Sequence, residues 1–442
     1  MPSQPKVNEM PKTRAIPKRH VESFNQKLKP ATRKGIRRFA FPLIIIVVVI
    51  IGCLSLVEIA LRFKPICLGP LCTHPIYGRM GNGLNPDIDE LGFRNISVPN
   101  NICVAFMGDS QVYGSGVGRD STFVSRLVTD HKLPAYNMGI PGTSILNQAQ
   151  MVRFAGQVRP EIVYLSFYPG NDLLDLYTET SGQGTITAEE ISRYELDLRE
   201  FPTPFDYESR WRDVKNQTVP YLGGLKYSHL RQVTQALEDF AVMRSALAVV
   251  KLFKTRKTSG DLKKLSKISI ESAWGVFPGT DTLFINDGDM RDVFESEFRV
   301  LAVDDSRSEV AVAIRNASHL FSRTTDSLRK QGVEPRVLFI PTKERVYADF
   351  LVARGLDLPQ SYRDQIVNEK RIVSMLKERV QNDLIHTIDL LPTLKDSVAR
   401  GVHTHLFFDG HMNSVGHAIA AEAIAADLGT HTCARDSSAP FE

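Results

Sequence analysis

The stretch from Asn101 to Gly118, NICVAFMGDSQVYGSGVG, restricts the fold more than any other part of this chain. Ile102 to Met107 is an apolar run without alternation, the pattern of a strand buried on both faces of a parallel sheet. Gly108-Asp109-Ser110 ends that run in a tight turn. It leaves a serine at the strand's carboxyl end, the edge where open α/β sheets place their ligands. The glycines of Tyr113-Gly114-Ser115-Gly116 let backbone approach a ligand closely. Taken alone, Gly108-Asp109-Ser110 also reads as a plain turn, with Asp109 or Ser110 capping the next helix. The stretch 114–118 lacks G-x-G-x-x-G spacing, and no G-x-x-x-x-G-K-[ST] is present. G-x-S-x-G is absent too, because Val112 stands where its last glycine belongs.

The same rhythm recurs. Ala135–Met138 reads as a second strand, closed by Gly139-Ile140-Pro141-Gly142-Thr143-Ser144. Ile162–Phe167 is a third, ending in Tyr168-Pro169-Gly170-Asn171-Asp172. Helices are expected over Ser121–Asp130 and Ile145–Val158, so the pattern is that of βαβ units. It breaks over 173–305, which holds both tryptophans, a helical stretch at His229–Phe253 and a β-like Asp281–Asn286. It resumes with a helix at Glu309–Arg329, strands at Arg336–Ile340 and His386–Leu390, and helices at Gln365–Asn382 and Ser414–Leu428.

The formal charge of +4 describes a tail, since residues 1–38 hold eleven Lys/Arg and two Glu. The remainder is net −5, so the body has no excess charge that would favour nucleic acid. Phe39–Val57, FAFPLIIIVVVIIGCLSLV, is an uncharged run of 19 residues. About 20 suffice to span the hydrocarbon core. Basic residues crowd its near side, so the N-terminus is expected in the cytoplasm and the chain beyond about Phe63 outside. A cleaved signal peptide fits less well, because the basic region is long and no small-residue cleavage site follows. Ile50-Ile51-Gly52-Cys53 resembles a lipoprotein cleavage box, but the apolar run continues past it. Cys67 and Cys72 either close a small loop outside the membrane as a disulfide or stand as free thiols. Cys103 reads as a packed strand residue, and Cys433 has no evident mate. The organisation expected is a basic tail (1–38), a transmembrane helix (39–63), a loop-rich lead-in (64–100), and an α/β domain from 101–172 and 306–430 interrupted by 173–305.

Residues suited to acyl chemistry end the strands or open the helices. Ser110 is a candidate nucleophile, which needs a base within hydrogen-bond reach and a carboxylate to orient that base. His411 and Asp409 supply such a pair. The Ser110 amide, the Gly142 amide and the Asn171 side chain are candidate oxyanion donors. His417 is an alternative base. The run His403-Thr404-His405 to Asp409-Gly410-His411 is also rich in metal-ligand types, although a metal there would leave Ser110 and Asn171 without a role.

Gly108-Asp109-Ser110, Gly142 in an Asn-x-Gly-x-x-Gly turn, Gly170-Asn171-Asp172 and Asp409-Gly410-His411 resemble, in order, the four blocks of the SGNH (GDSL-type) hydrolase superfamily. The resemblance covers about 90–172 and 306–428. It implies a flavodoxin-like three-layer α/β/α sandwich with a parallel sheet, here preceded by one N-terminal transmembrane helix. It also implies Ser110 as nucleophile, His411 as base, Asp409 as its partner, and Ser110, Gly142 and Asn171 as oxyanion hole, with no cofactor and no metal. The family's usual final block spaces Asp and His by two residues, whereas only Gly410 intervenes here. That spacing, with LFIPTKERVY at 338–347, is similar to the alginate-acetylation-type SGNH proteins of the bacterial envelope. An i, i+2 pair needs an extended or turn backbone to bring both groups together. The expected activity is an extracytoplasmic serine esterase removing acetyl or another short acyl group from an envelope glycan or small ester. The alternatives are acyl transfer by the same residues and an idle glycan-binding scaffold.

Overall fold

The computed structural model describes residues 52–53, 67–68, 71–74, 78–81, 85–100, 102–181, 186, 188–196, 274–276, 281–287, 290–407 and 409–429. The basic tail, the apolar run apart from helical Gly52 and Cys53, the His229–Phe253 stretch and Cys433 lie outside the described residues. Among the described residues no helix is long and apolar enough to cross a membrane.

Strands β1 (Cys67–Leu68), β2 (Leu71–His74) and β3 (Gly78–Gly81) form an antiparallel meander. These short strands lie within the lead-in read as loop-rich over 64–100. Strands of two to four residues, separated by Gly and Pro, are too short to show a period. Cys67 and Cys72 oppose each other across β1 and β2. Next come β4 (Val104–Gly108), β5 (Ala135–Gly139) and β6 (Ile162–Phe167), every residue buried. A separate antiparallel sheet holds β7 (Trp274–Val276), β8 (Leu283–Asp287) and β9 (Met290–Phe294). β10 (Glu334–Phe339) and β11 (His386–Asp389) complete the strands.

β4, β5, β6, β10 and β11 make one parallel sheet in the spatial order β11-β10-β6-β4-β5. Numbered within the sheet, that order is 2-1-3-4-5, the flavodoxin-like arrangement, whose switch point lies between β4 and β6. The strands carry apolar residues on both faces because helices cover both. The helices in chain order are α1 (Ser110–Tyr113), α2 (Phe123–Thr129), α3 (Ile145–Val158), α4 (Asp172–Thr180), α5 (Ala188–Ser192), α6 (Ser296–Val303), α7 (Ser308–Lys330), α8 (Lys343–Ala353), α9 (Gln360–Asn382), α10 (Leu391–Ala399) and α11 (Ser414–Leu428). Ala105, Met107, Val163, Leu165 and Phe339 face one core, with α3, α7 and α9. Val104, Phe106, Ile162, Tyr164 and Leu338 face the other, with α2, α8 and α11. The pleat thus sends alternate residues of one apolar run into two cores.

Cys103, just before β4, is disulfide-bonded, which corrects its reading as a packed thiol. It is fully buried as expected, and burial alone does not distinguish a thiol from a half-cystine. Within 173–305, β8 covers most of the β-like stretch, and α6 packs against α9.

Candidate active site

Ser110 opens α1 directly after β4. The turn into α1 requires glycine at 108, where a Cβ would lie 2.3 Å from Val112 Cγ2. Asp109 caps α1, its Oδ1 accepting from the Gln111 amide at 2.9 Å. Arg94 fixes the far end of the same segment. Its guanidinium donates to the carbonyls of Tyr113, Gly114 and Val117 at 3.0, 2.7 and 2.9 Å. That places a buried arginine from the lead-in under the Gly-rich loop.

The structure brings Ser110, His411 and Asp409 together. His411 Nε2 lies 2.7 Å from Ser110 Oγ, across 301 residues of sequence. His411 Nδ1 lies 2.5 Å from Asp409 Oδ1. A carboxylate facing Nδ1 accepts a hydrogen bond from a protonated Nδ1, which leaves Nε2 as acceptor for the serine hydroxyl. A longer contact, 3.3 Å, joins Ser110 Oγ to Asp109 Oδ2. The side chain of His411 is 21% exposed and that of Asp409 48%, so substrate can reach both from solvent.

A tight turn makes the i, i+2 spacing work. Leu406 N donates to His411 O at 2.9 Å and Asp409 N to Leu406 O at 3.4 Å, closing the segment on itself. Asp409 Oδ1 then accepts from both the His411 amide, at 3.1 Å, and the His411 ring. Asn413 anchors the exit. Its Oδ1 caps α11 on the Val415 and Gly416 amides, while its Nδ2 donates to the His403 and His405 carbonyls. Burial works against the Asp409 charge, yet the hydrogen bonds and charge of His411, with Arg299, hold its carboxyl below the usual range.

The Gly142 turn hangs on the carbonyl of Gly108, which accepts from Ile140 N at 2.9 Å and Thr143 Oγ1 at 3.2 Å. It therefore lies beside the Ser110 turn, with Gly142 at φ +70°. Neither the Ser110 nor the Gly142 amide donates to a backbone carbonyl among the described residues. Asn171 precedes α4 at the end of β6. Its Nδ2 donates to Asp175 Oδ2 at 2.5 Å. The amide is thus held by the Asp175 carboxylate in this structure. Burial raises the Asp109 carboxyl above its ordinary value. Burial, and then the Asp109 charge, raise Asp172 well above its own.

Two further side chains grip the Asp-x-His turn. Gln111, adjacent to Ser110 and 2% exposed, donates from Nε2 to Gly410 O at 3.1 Å. Its Oε1 accepts from Met412 N at 3.5 Å, so it holds the backbone on both sides of His411. Arg299 of α6 donates to Gly170 O at 3.1 Å and lies against Gly410, where a Cβ would be 2.8 Å from its Nη2. One guanidinium therefore spans the Asn171 and His411 turns. Sequence reasoning missed both residues. A glutamine after a candidate nucleophile carried a usable signal; Arg299, inside the stretch without rhythm, carried none.

The alternative base and the metal reading find no support in this geometry. His417 is fully buried, its Nδ1 accepts from Phe123 N at 3.2 Å, and burial pushes it down to about 3. His405 is buried with Nδ1 on Thr404 Oγ1 at 2.9 Å, and burial lowers it well below the ordinary imidazole value. Among the described residues no three His, Cys, Asp or Glu side chains are grouped to hold a metal ion.

Residues 301–440 match the family model for the SGNH hydrolase-like domain of acetyltransferase AlgX. The match includes β10, β11, Asp409 and His411 and leaves Ser110, Gly142 and Asn171 outside it. No curated protein sequence matches the chain. Among solved structures, the crystal structure of the acetyl xylan esterase AlAXEase aligns over 74% of this chain and 100% of its own, at 10% identity and a TM-score of 0.33. A likeness of that size carries no conclusion about activity. Over residues 301–440, which carry the Asp-x-His turn, the chain is similar to an SGNH hydrolase-like domain of the alginate-acetylation type.

Proposed function

We propose that the protein is a serine esterase of the SGNH kind, acting on acetyl or other short acyl esters of an envelope glycan. The observation that carries this reading is the hydrogen-bonded chain Ser110 Oγ, His411 Nε2, His411 Nδ1, Asp409 Oδ1. Ser110 Oγ attacks the acyl carbonyl while His411 Nε2 takes its proton. Asp409 stays ionised and supports the imidazolium, in keeping with its lowered carboxyl. The Ser110 and Gly142 amides and the Asn171 side chain, once released from Asp175, receive the oxyanion. His411 returns the proton to the departing alkoxide, leaving the acyl group on Ser110. Water, activated by His411, then releases the acid.

Transfer is the second reading, favoured by the match to the domain of an acetyltransferase. A sugar hydroxyl replaces water in the last step, and the residues keep their roles. The run Phe39–Val57 and its basic flank support a single-pass anchor with the domain outside. The Cys103 disulfide suits an oxidising compartment.

The test is turnover of p-nitrophenyl acetate by the purified protein, with and without an acetyl-free glycan acceptor. Acetate release alone marks hydrolysis, and acetylated acceptor marks transfer. Absence of both, with no phosphonate adduct on Ser110, would rule out the proposed chemistry.

A further inference from the structure

Lys343 belongs to the Pro341-Thr342-Lys343-Glu344 stretch at the end of β10, and the chemistry above gives it no part. It opens α8 yet is turned inward, with its side chain 1% exposed. Its ammonium donates to the carbonyls of Leu406 at 2.8 Å, Phe407 at 3.0 Å and Val293 at 3.1 Å, with Asp409 O at 3.5 Å. It forms an ion pair with Asp292, also 1% exposed, and lies 5.2 Å from the centre of the Phe294 ring. This is the surrounding a protein usually gives a bound cation: carbonyl oxygens and a carboxylate closed round one positive charge.

The carbonyls come from two places. Val293 and Asp292 are on β9, inside the stretch without βαβ rhythm, while Leu406, Phe407 and Asp409 form the near limb of the Asp-x-His turn. Val293 N also donates to Phe407 O at 3.3 Å. We infer that Lys343 is a positioning residue, an internal cation that fixes the turn carrying Asp409 and His411 and joins it to β9. The inference rests on the acyl chemistry proposed above, because its readout is the reactivity of Ser110.

Removing one partner of a buried ion pair leaves the other charge uncompensated, so Asp292 must be neutralised when Lys343 is replaced. Burial already pushes Asp292 up to about 7, so loss of the ammonium leaves that group able to take up a proton. Lys343→Met should therefore fold with the cage uncharged, and Lys343→Ala should leave an opening for a small amine. Misplacement of a reacting group by about 1 Å costs on the order of 10²-fold.

The experiment measures the rate of phosphonate labelling of Ser110, and kcat and KM with p-nitrophenyl acetate, in the full-length protein. Lys343→Met and Lys343→Ala should each label at least about tenfold more slowly per folded molecule, with KM within about twofold. Methylammonium should restore labelling of Lys343→Ala and leave Lys343→Met unchanged. Labelling at the wild-type rate in folded variants, or a slow rate in Lys343→Ala that methylammonium does not raise, overturns the inference. If neither variant accumulates folded, Asp292→Asn decides: slower labelling supports the role and an unchanged rate removes it. Failure of the wild-type protein itself to label on Ser110 instead strikes the underlying reading of the site.

Discussion

At the scale of single residues, the site is a set of short backbone turns fixed by buried side chains. Gln111 shows this most directly. Its amide bonds Gly410 O and Met412 N, and removal leaves both without that partner. Such orphaned groups cost about 1–3 kcal/mol each when desolvated. Gln111→Met, of similar volume, should lower kcat by about tenfold or more with little change in KM, because only the placement of His411 is altered. Unchanged kcat in steady-state assays would show that the turn holds itself. Asn171 calls for a different expectation. Its Nδ2 is already engaged with Asp175, so the oxyanion must compete for it. Asn171→Ala should reduce kcat by roughly 10²–10³, the scale for loss of one oxyanion donor. A soluble-ester assay giving wild-type turnover would take Asn171 out of the site. Ser110, Asp409 and His411 were all legible from residue type and block order. Gln111 gave only the hint of its place beside Ser110, and the roles of Arg299 and Lys343 gave none, because each acts on main-chain atoms that only the folded chain brings near.

At the scale of elements, strands with continuous apolar runs were legible and short or irregular ones were not. β4, β6 and the second half of β10 each feed two cores, so each wrote a largely apolar run. β1–β3 are too short to do so, and β7 is exposed or half-buried along its length. Helix α9 shows how packing extends what pattern suggests. The apolar periodicity begins at Gln365, but the helix starts at Gln360, because Ser361 and Tyr362 bond outward to Asp281 and Glu344. Within α9, fully buried Glu369 accepts from Thr342 N at 3.2 Å and Thr342 Oγ1 at 2.5 Å, while Thr342 caps α8. Burial pushes the Glu369 carboxyl up to about 7, against about 4.3 in the unfolded chain. The folded state therefore holds that proton more tightly. Glu369's contribution to stability falls as pH rises from about 4.3 through about 7. Glu369→Gln cannot titrate, so its Tm relative to wild type should be more favourable at pH 8 than at pH 5. Thermal unfolding at the two pH values checks this, and an equal difference at both would mean Glu369 is ionised throughout.

At the scale of the whole molecule, topology converts distant sequence into chemistry. The order 2-1-3-4-5 leaves β4 beside β6 at the switch point, so the turns bearing Ser110 and Asn171 open at one edge. α11 packs against α2, next to that edge, and the turn just before α11 delivers His411 to it. The rhythm of strands and turns made this meeting point legible in outline. The part played by 173–305 was not legible, since α6 and β9 act through Arg299, Asp292 and Val293 rather than through any periodic pattern. The meeting of two segments 301 residues apart has a kinetic consequence. If Ser110 and His411 act as one unit, removal of either should nearly abolish turnover, and removal of both should cost little more. Ser110→Ala, His411→Ala and the double variant, compared by kcat/KM on one ester, test this. The residual rate common to all three would then measure what the oxyanion donors and substrate binding supply without the nucleophile. Strictly additive losses would mean that the two residues contribute independently, and that the 2.7 Å contact is not the path of the proton.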